Sequence, residues 1–184
     1  MKKLKNLKIV ILLITVLTST LVLSQTQESK ESKMLDFVSK KGIIIKFEDF
    51  NLPSVKSTYS NCESKIRKII SGSEIKYFLQ ISNKGKYNSV TSSIAYEDIV
   101  EIQKALVALQ TQAAQDILTK ADYLENKFIS DDRLQIGYYV NKNKIVWYMK
   151  LDSGSDSTIF FKTYEPLVNA FKLGKEKIIF LKQQ

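Results

Sequence analysis

Residues 133–151 constrain the fold of this chain more than any other stretch. Leu134, Ile136, Tyr138 and Val140 occupy alternate positions, and so do Ile145, Trp147, Met149 and Leu151 after the polar tetrad 141–144. A period of two over each run is the pattern of a half-buried β-strand. A Lys142-Asn143 turn, or a slightly longer loop of the same parity, pairs Val140 with Ile145, Tyr138 with Trp147, Ile136 with Met149 and Leu134 with Leu151. Four apolar cross-strand pairs then share one face, and a slip of one residue would turn the whole set outward.

The flanking sequence extends this sheet. Residues 124–129 and 158–161 read as further strands, with Asp131-Asp132 turning the first pair. A second β region lies upstream. Gly42 opens the β-branched run Ile43-Ile44-Ile45-Lys46-Phe47, which ends near residues 51–54, where Pro53 removes a ladder donor. Residues 64–70 are a weaker strand. In residues 74–82, Ile75, Tyr77, Leu79 and Ile81 alternate with polar positions and Phe78. A two-residue Lys84-Gly85 loop predicts that Asn83 faces Lys86, Leu79 faces Val90 and Ile75 faces Ile94. Residues 34–38 suit either a short helical turn or a strand.

Two segments carry a helical period instead. Over residues 96–121, Ile99, Ile102, Leu106, Leu109 and Ala113 form an apolar stripe, and Glu97 and Asp98 complement the dipole in the first turn. The last helix is expected to start at Thr163 as N-cap, with Pro166 in its first turn and Leu167, Ala170, Phe171, Ile178 and Leu181 inward. Gly174 weakens its middle by about 1 kcal/mol relative to alanine and suggests a kink or a close approach. The predicted class is α+β: a mainly antiparallel sheet of about six to seven strands in two groups, each followed by a long amphipathic helix. The tetrads at 83–86 and 141–144 look alike, but the inward residue precedes them by two positions in one case and by one in the other. A sequence repeat is therefore not shown.

The first 24 residues are read as an address. Lys2, Lys3, Lys5 and Lys8 precede an uncharged run over residues 9–23, and Val22-Leu23-Ser24 suits a cleavage site. That order is the signature of a secretory signal peptide, and the run of about 15 residues falls short of the roughly 20 a membrane span needs. The expected organisation is a cleaved signal at 1–24, a polar leader at 25–33 and one domain at 34–184, without a permanent membrane anchor. The expected location is periplasmic or extracellular. Removing 1–24 leaves a net charge of +5 against +9 for the whole chain, a modest excess that argues against nucleic acid as partner.

Chemistry is bounded mainly by what is missing. The chain has no histidine and one cysteine, Cys62, so Ser-His-Asp and Cys-His nucleophile systems and histidine or multi-cysteine metal sites are excluded within one chain. No phosphate-binding glycine loop or dinucleotide fingerprint occurs, and nothing calls for a cofactor or metal. Residues 152–157 offer oxygen ligands but lack the spacing of a calcium loop and read as a flexible connection. The pairs Glu48-Asp49, Glu97-Asp98 and Asp131-Asp132 read as solvated or dipole-complementing groups. Cys62 reads as incidental, with pairing between chains the alternative.

The positive signal is the outward side of the two hairpins. If Ile75/Tyr77/Leu79/Ile81 and Ile136/Tyr138/Trp147/Met149 face the core, the opposite side carries Lys76, Phe78, Tyr139, Val146, Tyr148 and Lys150, flanked by Lys144. Phe78, Tyr139 and Tyr148 with Lys76, Lys144 and Lys150 form a candidate surface for a protein, a glycan or another polar or anionic ligand. The competing expectation is that a helix covers these aromatic rings. The functional expectation is a non-enzymatic binding module with no catalytic residues. An envelope enzyme using Asp/Glu, Tyr or Lys chemistry is the alternative, and a nucleic-acid platform comes third.

Overall fold

In a computed structural model the described residues are 32–85, 89–152 and 158–184. The predicted signal and cleavage site at 1–24, residue 86 of the predicted turn and most of the 152–157 connection lie outside them. The chain divides after Lys30, and everything described belongs to the second unit, Glu31–Gln184.

The class is α+β, and the described residues form two antiparallel four-stranded sheets and three helices; their strands number eight rather than six to seven. Helix α1 (Lys33–Val38) is followed by β1 (Ile45–Lys56), β2 (Asn61–Ser71), β3 (Glu74–Lys84) and β4 (Ser89–Ala95), then by α2 (Tyr96–Asp116). The second half runs β5 (Leu124–Ile129), β6 (Gln135–Asn141), β7 (Lys144–Lys150), β8 (Thr158–Phe161) and α3 (Glu165–Lys182). Each sheet is a simple meander, β1-β2-β3-β4 and β5-β6-β7-β8. Residues 34–38, ambiguous in sequence, are helical because the Ser32 hydroxyl accepts the Leu35 N–H at 3.2 Å and caps the turn.

The second hairpin has the predicted register: Val140 faces Ile145, Tyr138 faces Trp147 and Ile136 faces Met149. Lys142 and Asn143 both take positive φ, 48° and 59°, as a two-residue turn with the twist of its strands requires. The first hairpin is set differently. Leu79 faces Ile94, not Val90, and the ladder ends at Lys84 opposite Ser89. The shift is four residues, so parity is kept and the predicted inward set of β3 still faces inward; Ile75, at the strand's end, is nonetheless exposed. β1 runs past Pro53 to Lys56, with the register breaking between Leu52 and Val55. An edge strand tolerates the missing donor there, and the Ser64 hydroxyl donates to the Pro53 carbonyl at 2.8 Å.

One core joins both sheets and both long helices. Leu79, Ile81 and Ile94 from the first sheet meet Ile136, Tyr138, Met149 and Phe161 from the second, and the predicted stripes of α2 and α3 close over them. Helix α2 stops at Asp116, five residues short of the expected end, where Ile117, Leu118 and Thr119 bond back into the last turn. Helix α3 starts at Glu165 with Tyr164 as N-cap; the Thr163 hydroxyl bonds the Glu165 carboxylate instead and lowers its pKa. Gly174 is a close approach: a Cβ there would sit 2.8 Å from Leu79 Cδ2. Cys62 is fully buried in the same core, opposite Val55 on β1, and burial pushes its thiol pKa up.

Candidate binding surfaces

The six residues singled out from sequence lie on the outward sides of two different sheets and do not share one face. Lys76 and Phe78 belong to β3; Tyr139, Lys144, Tyr148 and Lys150 belong to β6 and β7.

On the first sheet the outward side is closed at one end. Phe78 is 1 % exposed, in a small cluster with Phe37, Ile69 and Ala95. Phe37 comes from α1, which lies across the sheet and is flanked by Met34, Val38 and Ile45. Lys76 is exposed, with its Nζ 4.7 Å from the centre of the Phe37 ring. Phe78 thus presents nothing to a partner in this arrangement; the competing expectation, coverage by a helix, is what the fold contains. Beyond α1 the outward side is charged. Asp49 accepts from Arg67 Nε and Nη2, each at 2.8 Å, and from Lys65 at 2.6 Å. The Arg67 bond and charge, helped by Lys65 and opposed by partial burial, hold the Asp49 pKa down to about 2.

Helix α1 is pinned by charge at its start. Lys33 Nζ bonds Asp98 Oδ1 at 2.5 Å, with Asp131 at 3.4 Å and Glu97 at 3.9 Å, and the Lys33 N–H donates to Asp132 Oδ1 at 2.8 Å. Asp98 is 2 % exposed, in the first turn of α2. Partial burial lowers the Lys33 pKa, but the bonds and charges of these carboxylates outweigh it and leave it raised, so the ammonium stays protonated. That is the reverse of what an amine nucleophile needs. Burial raises the Asp132 pKa. The four acids of this cluster were visible in sequence only as a turn and a helix start; the lysine that unites them lies 65 residues from Asp98.

The outward side of the second sheet has a different character. Tyr148 faces Gly137 on β6 and reaches past it to β5, where its hydroxyl donates to Glu125 Oε1 at 2.5 Å. Gly137 is the only residue that fits, since a Cβ would lie 2.3 Å from the Asn126 carbonyl oxygen. Tyr148 is therefore buried at 5 % exposure, its pKa raised by that burial and then by Glu125, while its hydroxyl lowers the Glu125 pKa. Around it the face is open. Tyr139 is half-buried and meets Phe160 edge-on at 6.4 Å, Lys150 is half-buried, and Lys144 is exposed. Glu125, Lys127 and Ile129 on β5 are exposed, as is Tyr123 just before it. Sequence reasoning missed Glu125, Lys127, Tyr123 and Phe160, although alternation through residues 124–129 puts Glu125 and Lys127 on this side.

On the inner side, Tyr138 packs edge-on against Trp147 at 5.0 Å and donates to Asp116 Oδ2 at 2.7 Å. Burial and then Asp116 push its pKa to about 12. A cleft of about 200 Å3 opens at the end of β3, where Lys182 Nζ stands 3.9 Å from the Tyr96 ring centre. Asp36 and Glu97 line it together with Lys33 and Lys76, so its charge is mixed. Among the described residues no cluster of three potential metal ligands occurs, and no helix is long and apolar enough to cross a membrane. No protein-family model, curated protein or solved structure matches this chain.

Proposed function

We propose that this chain is a small exported, non-enzymatic binding module whose contact surface is the outward side of the second sheet. Tyr139 and Lys150 are its centre, Tyr148 its rigid floor, and Lys144 and Lys127 its charged margin. The observation that carries the reading is the open face around Tyr148: Tyr139 and Phe160 half-buried and edge-on, with Glu125 and Lys127 exposed beside them. Aromatic faces beside hydrogen-bonding and charged groups suit a ligand with both apolar and polar sides, and a glycan is the class that combines them. Lys76 and Phe78, the other two residues in the sequence-based candidate, contribute to the first sheet and its cover instead.

The test uses the protein as it accumulates in the cell, whose N-terminus is expected at Gln25 if residues 1–24 are a cleaved signal. Glycan-array binding should drop about tenfold or more in a Tyr139→Ala/Lys150→Ala double variant, with an unchanged melting temperature. Glycan binding that survives both substitutions removes this face from the proposal. Capture of a protein through the same residues keeps the face and replaces the glycan.

A further inference from the structure

Helices α2 and α3 pack against each other, and a groove of about 280 Å3 opens between them. Helical spacing builds both of its walls. On α2, Gln103, Val107 and Gln110 recur at three- and four-residue steps; on the other side, Tyr164, Val168 and Lys172 recur at steps of four from the N-cap of α3. Leu106 forms a buried floor, while Val107 is 66 % exposed, so apolar surface continues from the core out to water. The polar groups around this strip are unengaged. Among the described residues, the side chains of Gln103, Gln110 and Lys172 make no hydrogen bond or ion pair. The Tyr164 side chain makes only a ring contact, tilted against Trp147 at 5.7 Å. Among the described residues no acid lines the groove, and Lys172 is its one charged group.

We propose that the groove binds a small organic acid, a single carboxylate carried on an apolar body. Charge complementarity selects this occupant. One ammonium with no acid beside it matches one negative charge, whereas a phosphate dianion would leave a charge uncompensated. The two carboxylate oxygens accept from Lys172 and from a glutamine amide, and the apolar body lies along Leu106, Val107 and Val168. The groove is slightly smaller than the roughly 300–1,000 Å3 of pockets that take drug-sized molecules, which suits a ligand of about ten heavy atoms. An occupant against Tyr164 also presses on the ring that touches Trp147, so the site is coupled to the core beneath it. The helices cover the inner sides of the sheets, and this site is therefore separate from the outward face around Tyr148.

The probe is phenylbutyrate, with phenylbutanol as its uncharged counterpart, added to isotope-labelled protein as it accumulates in the cell. Backbone amides of residues 103–110 and 164–172 should shift with a Kd of about 1 mM or tighter. The emission of Trp147, the only tryptophan in the chain, should change over the same range. Phenylbutanol should bind about fivefold more weakly or worse, and added salt should weaken the acid alone. Lys172→Met should erase the preference for the acid. Val107→Glu, which sets a negative charge in the groove, should weaken the acid by about tenfold. Both positions are exposed, so both variants should melt like the parent. A titration that never saturates, shifts confined to other elements, an alcohol that binds as tightly as the acid, or a Lys172→Met variant that keeps the preference would each overturn the proposal. Groove amides that move with the concentration of the chain itself and not with the acid would give the groove to a second copy and overturn it equally.

Discussion

Phe78 on β3 and Tyr148 on β7 occupy outward positions on central strands of two different sheets, and both are buried, by opposite means. Phe78 is covered by Phe37, brought over the sheet by α1 and anchored through Lys33. Tyr148 is covered within its own sheet: it faces Gly137 on β6, and Glu125 on β5 holds its hydroxyl. The first solution uses a separate element and takes that part of the face out of contact with solvent. The second uses neighbouring strands and leaves Tyr139, Lys127 and Lys150 available around a fixed ring. An aromatic residue on an outward strand position therefore tells little about accessibility until its neighbours are known.

Removing the cover of the first sheet should have the largest effect. Phe37→Ala deletes a buried ring from a small cluster and is expected to cost about 3–5 kcal/mol in urea unfolding. Lys33→Met, which leaves Asp98 buried without its counter-charge, should approach the lower end of the same range. If either variant unfolds at the parent's urea midpoint, α1 is an ornament rather than part of the core. On the second sheet, Tyr148→Phe keeps the ring and loses only the bond to Glu125. Because that carboxylate is open to water, a loss of about 1 kcal/mol is expected, read from the same titrations.

The smallest effect concerns charge on the first sheet. The Asp49 pKa is depressed, so its contribution to stability is present above the ordinary carboxylate range and is lost as pH falls toward about 2. Carboxyl resonances followed by NMR should show Asp49 titrating near that value, and Arg67→Gln should raise it toward the ordinary range. An Asp49 that titrates normally in the parent would mean that its contacts with Arg67 and Lys65 do not persist in solution.

Legibility followed loop length and sequence separation. The β6–β7 hairpin was readable because its turn has two residues and each strand alternates cleanly, so register and face came out together. In the β3–β4 hairpin, the Lys84-Gly85 pair looked like a turn of the same kind, yet the ladder closes at Lys84 opposite Ser89. Parity survived the error, which is why Leu79 and Ile81 were placed inward while Leu79 was given the wrong partner. The burial of Phe78 was not readable because α1 is six residues long, too short for a helical period to stand out. Nor could Lys33 be joined to Asp98 and Asp132, which lie 65 and 99 residues away and are brought to it only by tertiary packing.

The meander order of both sheets has a kinetic consequence. Every strand pairs with its neighbour in sequence and no strand crosses over, so each ladder can zip from a hairpin with little loop entropy to overcome. All of β1–β4 precedes β5, so synthesis can deliver a complete first sheet before the second has begun. The event that must wait is the meeting of the halves, because the core that holds Leu79 against Gly174 needs a helix from the end of the chain. A nascent chain halted before α3 would hold its first sheet paired and α2 in place, with only the part of the inner face that α3 covers left bare.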